Sequence, residues 1–290
     1  MSLFSSYDGT RLACTELGSG PRLVCLPGGP GRASAYLEDL AGLDDVRTLV
    51  LLDPRATRRS EVPADPASLR FDRLAEDVEA LREHLAVQDP QCERIDLLGH
   101  SAGCLVAQAY AATHPDRLRS LVLVTPSDRL QGGTREDVAG IRAARSGEPW
   151  YAEAAEAQEA LAYAAPAQQQ ALVRATRPFF YGRWDERTQA HAATADTQSS
   201  KRAELGFGAG IEQVDVAGIR AALASLDLPV LVVGGERDAL TGVASVHTVA
   251  ADFRRAQTVV LPRAGHFPWV DEPEAFRAAV EEFLRVAARG

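Results

Sequence analysis

The amino-acid sequence predicts an α/β fold in which a mostly parallel sheet of eight strands is flanked by helices and carries a helical cap insertion. Six short apolar runs indicate strands that are buried on both faces, as the strands of a parallel sheet usually are. The runs lie at residues 23–26, 48–52, 95–98, 121–124, 230–233 and 258–261. An Asp8-Gly9 turn adds an antiparallel hairpin with arms at 3–7 and 10–16, which completes the eight strands.

Helix-length amphipathic segments separate the apolar runs. Residues 71–85 and 274–286 repeat apolar side chains every three or four positions, which predicts one buried face on each helix. The residues on these two faces are Leu74, Val78, Leu81, Leu85, Phe276, Val280 and Phe283. Because strands and helices alternate, we expect right-handed crossovers and a doubly wound sheet.

The alternation stops between about residues 127 and 224, where the sequence is rich in Ala, Gln and Glu and contains no clear strand. We interpret 127–224 as a helical cap over the carboxyl edge of the sheet, and 1–126 together with 225–290 as the core domain. The alternative is two ordinary helices with long loops, but structureless connections of this length are uncommon in compact domains.

The charge balance argues against nucleic acid and anionic membranes as partners. The 290-residue chain has a formal net charge of −9, and its basic residues are scattered along the sequence. The N-terminal residues lack the features of a signal peptide, and no apolar stretch is long enough to span a membrane. We therefore expect a small-molecule or short-peptide substrate, and a monomer or small homo-oligomer in the cytoplasm.

The four cysteines, Cys14, Cys25, Cys92 and Cys104, show no metal-binding or C-x-x-C spacing, so no metal or other cofactor is predicted. Reduced, buried thiols are expected rather than a disulfide framework. The 31 basic residues include a single lysine and alanine is abundant, which indicates a GC-rich, bacterial genome.

Gly99-His100-Ser101-Ala102-Gly103 follows an apolar strand run directly and precedes a helical run. This is a G-x-S-x-G motif in the strand–turn–helix context of a nucleophile elbow, which presents a serine hydroxyl clear of the backbone. The helix N-terminus beneath the serine favours developing negative charge. Ser101 is therefore the predicted nucleophile, and a structural Gly-rich turn is the alternative.

Serine needs a base, and position in the chain selects His266 for that role. His266 follows the last strand run, at the edge of the sheet where the predicted elbow also lies. Asp238 follows the preceding run and is the predicted acid that fixes the imidazole tautomer, with Asp128 and Glu236 as rivals. The other histidines lie in predicted helices, before a proline, in the insertion or beside the nucleophile: His84, His247, His114, His191 and His100.

A serine nucleophile also needs two N–H donors for the oxyanion of its tetrahedral intermediate. The N–H of Ala102, which follows the nucleophile, is one candidate. The second is Gly29 in the Gly- and Pro-rich loop 26–31 after the first parallel strand, because glycine lets the backbone approach a substrate. A simple turn is the alternative for this loop.

Taken together, these motifs resemble the α/β-hydrolase superfamily, and within it the proline iminopeptidase-like group. The resemblance covers nearly the whole chain. It rests on the P-G-G-P-G loop at 27–31, the Asp53-Pro-Arg-…-Ser60 segment, the motif 99–103, Gly235-Glu-Arg-Asp238 and Gly265-His-Phe-Pro-Trp269. It implies a serine triad, a helical cap, no metal and the release of N-terminal residues, typically proline, from peptides.

The chain departs from that group at several positions. Pro27 stands where the group has His, Pro54 where it has Gln, and Ala56 and Arg58 replace two glycines. Relatives bind the free amine of the substrate with acidic residues, in some members directly after the triad Asp, where this chain has Ala239. Candidate substrate contacts are Gly28, His100, Glu204 and Phe267.

The prediction is therefore a serine hydrolase that cleaves a small ester or amide through an acyl-enzyme, with a proline iminopeptidase-like aminopeptidase as the first hypothesis. A carboxylesterase, thioesterase, lactonase or tailoring hydrolase of a biosynthetic pathway remains open. A cofactor-independent oxygenase and a non-catalytic ligand-binding protein of the same fold are the alternatives from other classes.

Overall fold

The computed structural model describes residues 2–133 and 135–289. Its strands are β1 Ser2–Ser5, β2 Arg11–Gly18, β3 Arg22–Leu26, β4 Thr48–Asp53, β5 Ile95–His100, β6 Leu118–Val124, β7 Val230–Gly235 and β8 Ala256–Leu261. They form one sheet in the order β1-β2-β4-β3-β5-β6-β7-β8. The β1–β2 and β2–β4 pairs are antiparallel and all the others are parallel, so the predicted mostly parallel eight-stranded sheet is confirmed.

The central strands are apolar on both faces because each face packs against its own core. In β5, Leu97 belongs to one buried cluster and its neighbour Leu98 to the other, on opposite sides of the sheet. The edge strand β8 differs, because Gln257 and Thr258 are exposed there. The apolar run predicted at 258–261 is thus only partly buried.

In the described residues, twelve α-helices cover the sheet and its carboxyl edge. They are α1 Leu74–Gln88, α2 Gly103–Thr113, α3 Val138–Ala143, α4 Tyr151–Ala160, α5 Pro166–Thr176, α6 Glu186–Ala193, α7 Ala195–Gln198, α8 Lys201–Phe207, α9 Val216–Ser225, α10 Ala244–Ala250, α11 Pro268–Asp271 and α12 Pro273–Ala287 within the described ranges. Short 3-10 helices occupy connections at Ser34–Leu37, Leu43–Asp45, Pro66–Leu69, Pro90–Glu93, Pro115–Arg117, Arg129–Gln131, Leu161–Tyr163, Arg177–Phe180 and Ile211–Gln213.

The two helices predicted from periodicity are α1 and α12, and all seven apolar residues of their predicted faces are buried. Helix α1 begins at Leu74, three residues later than predicted. The reason is a tertiary contact, because Phe71 donates its backbone N–H to the carbonyl oxygen of Phe207 (3.1 Å) and so does not join a helical turn.

The chain between β6 and β7 contains α3 to α9 and, among its described residues, no strand. The predicted division at residue 224 lies within α9, whose Leu223 is packed in the main core beside α2. The predicted ranges also include Met1, Thr134 and Gly290, which lie outside the described residues.

The Asp53–Ser60 segment is a structural element that holds the loop after β3. The Asp53 carboxylate accepts hydrogen bonds from the Ser34 N–H (2.9 Å) and hydroxyl (2.7 Å). Arg55 is fully buried, and its guanidinium donates to Asp77 (2.6 Å) and Asp8 (2.5 Å). Asp53 thus holds the segment that follows the Gly29 loop, and Arg55, a buried charge that needs partners, joins the turn after β1 to α1.

Candidate active site

Ser101 lies at a sharp turn between the last residue of β5 and the first of α2. Its φ is +54°, a left-handed conformation that is rare for a residue with a side chain and typical of functional turns. A Cβ on Gly103 would lie 2.6 Å from the carbonyl oxygens of Leu26 and Pro27, so this glycine is required by close packing of backbone. The strand–turn–helix geometry expected of an elbow is therefore present at Ser101.

His266 follows β8 and its imidazole is joined to Asp238, which follows β7. The two atoms His266 Nδ1 and Asp238 Oδ2 are 2.8 Å apart, and both residues are buried. A carboxylate only accepts, so Nδ1 carries the proton and donates it. Nε2 is then the ring nitrogen that is available to take a proton.

Three further donors hold the Asp238 carboxylate. The Leu240 N–H (2.9 Å) and Thr241 N–H (3.1 Å) donate to Oδ1, and the Thr241 hydroxyl donates to Oδ2 (2.6 Å). Burial by itself raises the pKa of Asp238, but His266 and these donors outweigh it and hold the pKa below its ordinary value. Asp238 is therefore an anion in a fixed orientation.

The two rival acids are placed differently. Asp128 is buried after β6, where its backbone carbonyl caps the turn to Gln131 and Gly133. Glu236 is exposed to solvent. Among the described residues, Asp238 is the acid that is hydrogen-bonded to His266.

The two candidate oxyanion donors flank the elbow. Gly29 has a φ of +121° and lines the same cavity as Ser101. Ala102 follows Ser101 and precedes the first residue of α2. In the described part of the chain, neither the Gly29 N–H nor the Ala102 N–H has a hydrogen-bond acceptor. Both donors are thus free for a ligand oxygen.

A chain of hydrogen bonds connects the Gly29 loop to the His266 loop. The Gly28 N–H donates to the Tyr36 hydroxyl (2.6 Å), and that hydroxyl donates to His100 Nδ1 (2.6 Å). His100 Nε2–H donates to the His266 carbonyl oxygen (2.9 Å). Burial, followed by the nearby His266, holds the pKa of His100 well below its ordinary value, so the ring stays neutral.

Ser101 and His266 open into a cavity of about 620 Å³ between the core and the helices that follow β6. Three of the four predicted substrate contacts, His100, Glu204 and Phe267, line this cavity. The fourth, Gly28, lies behind the nucleophile, where a Cβ would be 2.8 Å from the Ser101 Cβ. The structure thus places Gly28 in the support of the elbow.

Four residues that touch this site were not identified from the sequence: Arg32, Tyr36, Thr241 and Asp271. Thr241 carries a local signal, since a hydroxyl three residues after a loop aspartate commonly closes a turn. Arg32 directly follows the P-G-G-P-G loop, but its burial depends on the helices that follow β6. Asp271 accepts the N–H groups of Gly265 and Gly182, each at 2.8 Å, and its burial raises its pKa to about 6.

Within residues 2–133 and 135–289, His, Cys, Asp and Glu side chains form no group of three or more that is arranged to hold a metal ion. Over the same residues, none of the helices combines the length and apolar character that crossing a membrane requires.

The fold and the strand-end arrangement of this site are those of an α/β-hydrolase. Residues 21–273 match the family described as alpha/beta hydrolase fold, and the chain belongs to this family. Its relatives include proline iminopeptidases and pimeloyl-[acyl-carrier protein] methyl ester esterases, and the matches to the first of the iminopeptidases span less than half of those proteins' own length.

Individual relatives differ in activity. A pimeloyl-[acyl-carrier protein] methyl ester esterase of Aeromonas hydrophila is 28% identical over 276 residues, which is 93% of this chain and 97% of that protein. A proline iminopeptidase of Heyndrickxia coagulans is 32% identical over 111 residues, but the match spans 38% of this chain and only 37% of that protein. An esterase from Exiguobacterium antarcticum shares the fold, with a TM-score of 0.73 at 16% identity over 98% of this chain and 99% of that one.

Proposed function

We propose that the chain is a serine hydrolase that cleaves small esters through an acyl-enzyme on Ser101. The observation that carries the proposal is the buried His266–Asp238 hydrogen bond of 2.8 Å beside a serine held at positive φ, with serine and histidine lining one cavity. A nucleophile, an oriented base and free N–H donors are the parts that acyl transfer needs.

In this mechanism the Ser101 Oγ attacks the ester carbonyl carbon while His266 Nε2 takes the hydroxyl proton. The N–H groups of Gly29 and Ala102 stabilise the oxyanion, and Asp238 stabilises the imidazolium that forms. The carbon–oxygen bond to the alcohol then breaks and the alcohol leaves with the proton from His266. Water, deprotonated by His266, next attacks the acyl-enzyme and releases the carboxylic acid and free Ser101.

We further propose that residues 127–224 act as a cap that shapes the substrate end of the cavity. Leu161, Gln169 and Phe180 of this segment line the same cavity as Ser101 and His266, which supports a small-molecule or short-peptide substrate. Four free, buried cysteines support a reducing compartment such as the cytoplasm.

The aminopeptidase activity that the sequence suggests is the second candidate, and Glu204 on the cavity wall is the observation that favours it. The ester activity is preferred because the carboxylates of the cavity wall are occupied. Glu204 pairs with Lys201 (3.0 Å) and Asp196 pairs with Arg177 (2.6 Å), so each carboxylate already has a cationic neighbour that weakens its attraction for a substrate amine.

Two measurements test the proposal. A fluorophosphonate probe is expected to label the wild-type protein and to leave Ser101→Ala unlabelled. A panel of p-nitrophenyl esters and of proline and alanine anilides then separates the two activities, and turnover of the esters alone is expected. Folded wild-type protein that stays unlabelled contradicts the serine mechanism, and preferential turnover of the anilides contradicts the ester assignment.

A further inference from the structure

Arg32 is a buried cation on the wall of the catalytic cavity. The residue is 6% exposed, and across residues 2–133 and 135–289 no carboxylate oxygen lies within 4 Å of its guanidinium. The Thr194 hydroxyl accepts one N–H at 2.8 Å, and the Nε–H is buried without a partner. Buried charges in proteins are normally paired, so this one requires an explanation.

Two aromatic rings hold the guanidinium in place without neutralising it. The Arg32 Cζ lies 4.0 Å from the centre of the Tyr36 ring and 5.8 Å from that of Phe267. Such cation–π contacts stabilise a cation but leave its N–H donors free, and guanidinium has five of them. Arg32 therefore keeps a planar set of donors whose geometry matches a carboxylate.

The backbone on both sides of Arg32 is fixed, so the cation occupies a defined place. The Arg32 N–H donates to the Gly28 carbonyl (3.2 Å), and the next N–H, of Ala33, donates to Gln198 (2.9 Å). The Gly31 carbonyl accepts the Ser200 N–H (2.8 Å). The loop that contains Gly29 is thereby joined to the helices that close the cavity.

The other charges of the cavity wall cancel in pairs. Arg177 forms an ion pair with Asp196, and Lys201 forms one with Glu204. Among the described residues that line the cavity, Arg32 is then the charged side chain without an ion-pair partner. A ligand with a negative group gains an interaction there, whereas a ligand with an ammonium group is repelled.

We propose that Arg32 binds a carboxylate of the substrate, so that the preferred substrates are esters or lactones that carry a free carboxylate besides the bond that is cleaved. This inference rests on the proposed ester hydrolysis at Ser101 and specifies its substrate class. It differs from amine recognition, because the recognised group has the opposite charge.

The test compares three sets of methyl esters that differ only in the terminal group. The first set is the monomethyl esters of linear dicarboxylic acids from succinic to suberic acid, and the others replace the free carboxylate by a carboxamide or an ammonium group. The carboxylic acid released on hydrolysis of each ester is titrated, and its rate of release gives kcat/KM for that ester. We expect the best half-ester to exceed its carboxamide by about 10- to 100-fold, the range of one charge-assisted hydrogen-bonded contact.

Variants assign the preference to Arg32. In Arg32→Met the ratio of kcat/KM for the half-ester to kcat/KM for the carboxamide is expected to approach one. Arg32→Lys should keep part of this preference because the positive charge remains. Arg285→Met, which removes an exposed arginine paired with Glu282 on α12, is the control and should keep the full ratio. Equal kcat/KM for half-esters and carboxamides in the wild type, an ammonium preference, or a preference that survives in Arg32→Met overturns the inference.

Inhibition of the wild type tests the same point without a variant. Dicarboxylates from glutarate to suberate are expected to inhibit more strongly than their diamides, and equal inhibition overturns the inference. Fluorophosphonate labelling and p-nitrophenyl butyrate turnover run in parallel. If both are present but the carboxylate preference is absent, only the role of Arg32 is wrong; if labelling is absent, the serine mechanism itself is wrong.

Discussion

His100 donates its Nε2–H to the backbone carbonyl oxygen of His266 across 2.9 Å, so the residue before Ser101 holds the loop that carries His266. Its other nitrogen accepts from the Tyr36 hydroxyl, which in turn accepts from the Gly28 N–H. Every proton in this chain points the same way, from the Gly29 loop towards His266. Because burial holds the pKa of His100 well below its ordinary value, the ring is neutral at neutral pH and this direction is kept there.

Tyr36→Phe is expected to lower both stability and activity. The change leaves the Gly28 N–H and His100 Nδ1 without a partner, at a cost of roughly 1–3 kcal/mol for each buried group. Because both groups support the site, kcat/KM should also decrease, by about tenfold for a loss of 1.4 kcal/mol in the transition state. Urea unfolding and ester kinetics measure the two effects.

The matched control is Tyr110→Phe, which removes a hydroxyl that donates to Glu79 (2.7 Å) away from the site. It should reduce stability but leave kcat/KM unchanged. Equal kinetics for Tyr36→Phe and wild type would show that the hydrogen-bond chain does not support catalysis.

Asp238→Asn is expected to reduce kcat by about 10⁴-fold while the protein stays folded. An amide NH₂ in place of Oδ2 cannot accept from Nδ1–H, so the imidazole adopts the wrong tautomer. Asp128→Asn changes the rival acid in the same way and should leave kcat close to the wild-type value. A larger loss in Asp128→Asn than in Asp238→Asn contradicts the assignment of the acid.

Gly103→Ala is expected to destabilise the protein by roughly 1–3 kcal/mol or more, since the added methyl would be 2.6 Å from two carbonyl oxygens. Gly140→Ala is the opposite case. Gly140 lies in α3 with open space around it, so alanine should stabilise the helix by roughly 0.5–1 kcal/mol. Urea unfolding of both variants gives their free energies of unfolding. A Gly103→Ala variant as stable as the wild type would contradict the close backbone packing at this position.

Asp271→Asn is expected to remove part of the pH dependence of stability. Burial raises the pKa of Asp271 to about 6 from 3.8, so the folded state binds more protons than the unfolded state between these values. The wild type therefore loses stability as the pH rises through that window. Between pH 4 and pH 7 the free energy of unfolding of Asp271→Asn should rise relative to wild type by roughly 2 kcal/mol.

Asp185→Asn is the control for the direction of this pH dependence. The Thr188 backbone N–H lowers the pKa of the Asp185 carboxylate at the start of α6, so the Asp185→Asn difference should change with pH in the opposite direction. A pH-independent difference for Asp271→Asn contradicts a raised pKa at this position.

The fold was largely predictable because its signals are local. Apolar runs and amphipathic faces are properties of consecutive residues, and α1 and α12 bury the side chains that their spacing predicts. The pairing of His266 with Asp238 followed from strand order, because parallel strands deliver their following loops to one edge of the sheet.

What the sequence did not reveal depends on contacts between distant segments. Arg32 is buried because Thr194, Gln198 and Ser200 contact its side chain or its loop. These residues are more than 160 positions away in the sequence, so no local sequence pattern around Arg32 predicts its burial. Asp271 likewise acquires its raised pKa from burial, which outweighs the hydrogen bonds that it accepts from the Gly182 and Gly265 N–H groups. The expected boundary of the cap at residue 224 is a residue of α9, and the division of the chain there stays a prediction.

The position of His266 after β8 has a consequence for how activity arises during synthesis. More than half of the chain separates Ser101 from His266, the proposed nucleophile and base, and the segment that closes the cavity lies between them. A nascent chain on the ribosome displays the elbow serine long before the histidine emerges. In the proposed mechanism the chain therefore stays inert until nearly all of it has been made, because the serine and the segment that closes the cavity are both synthesised before the base.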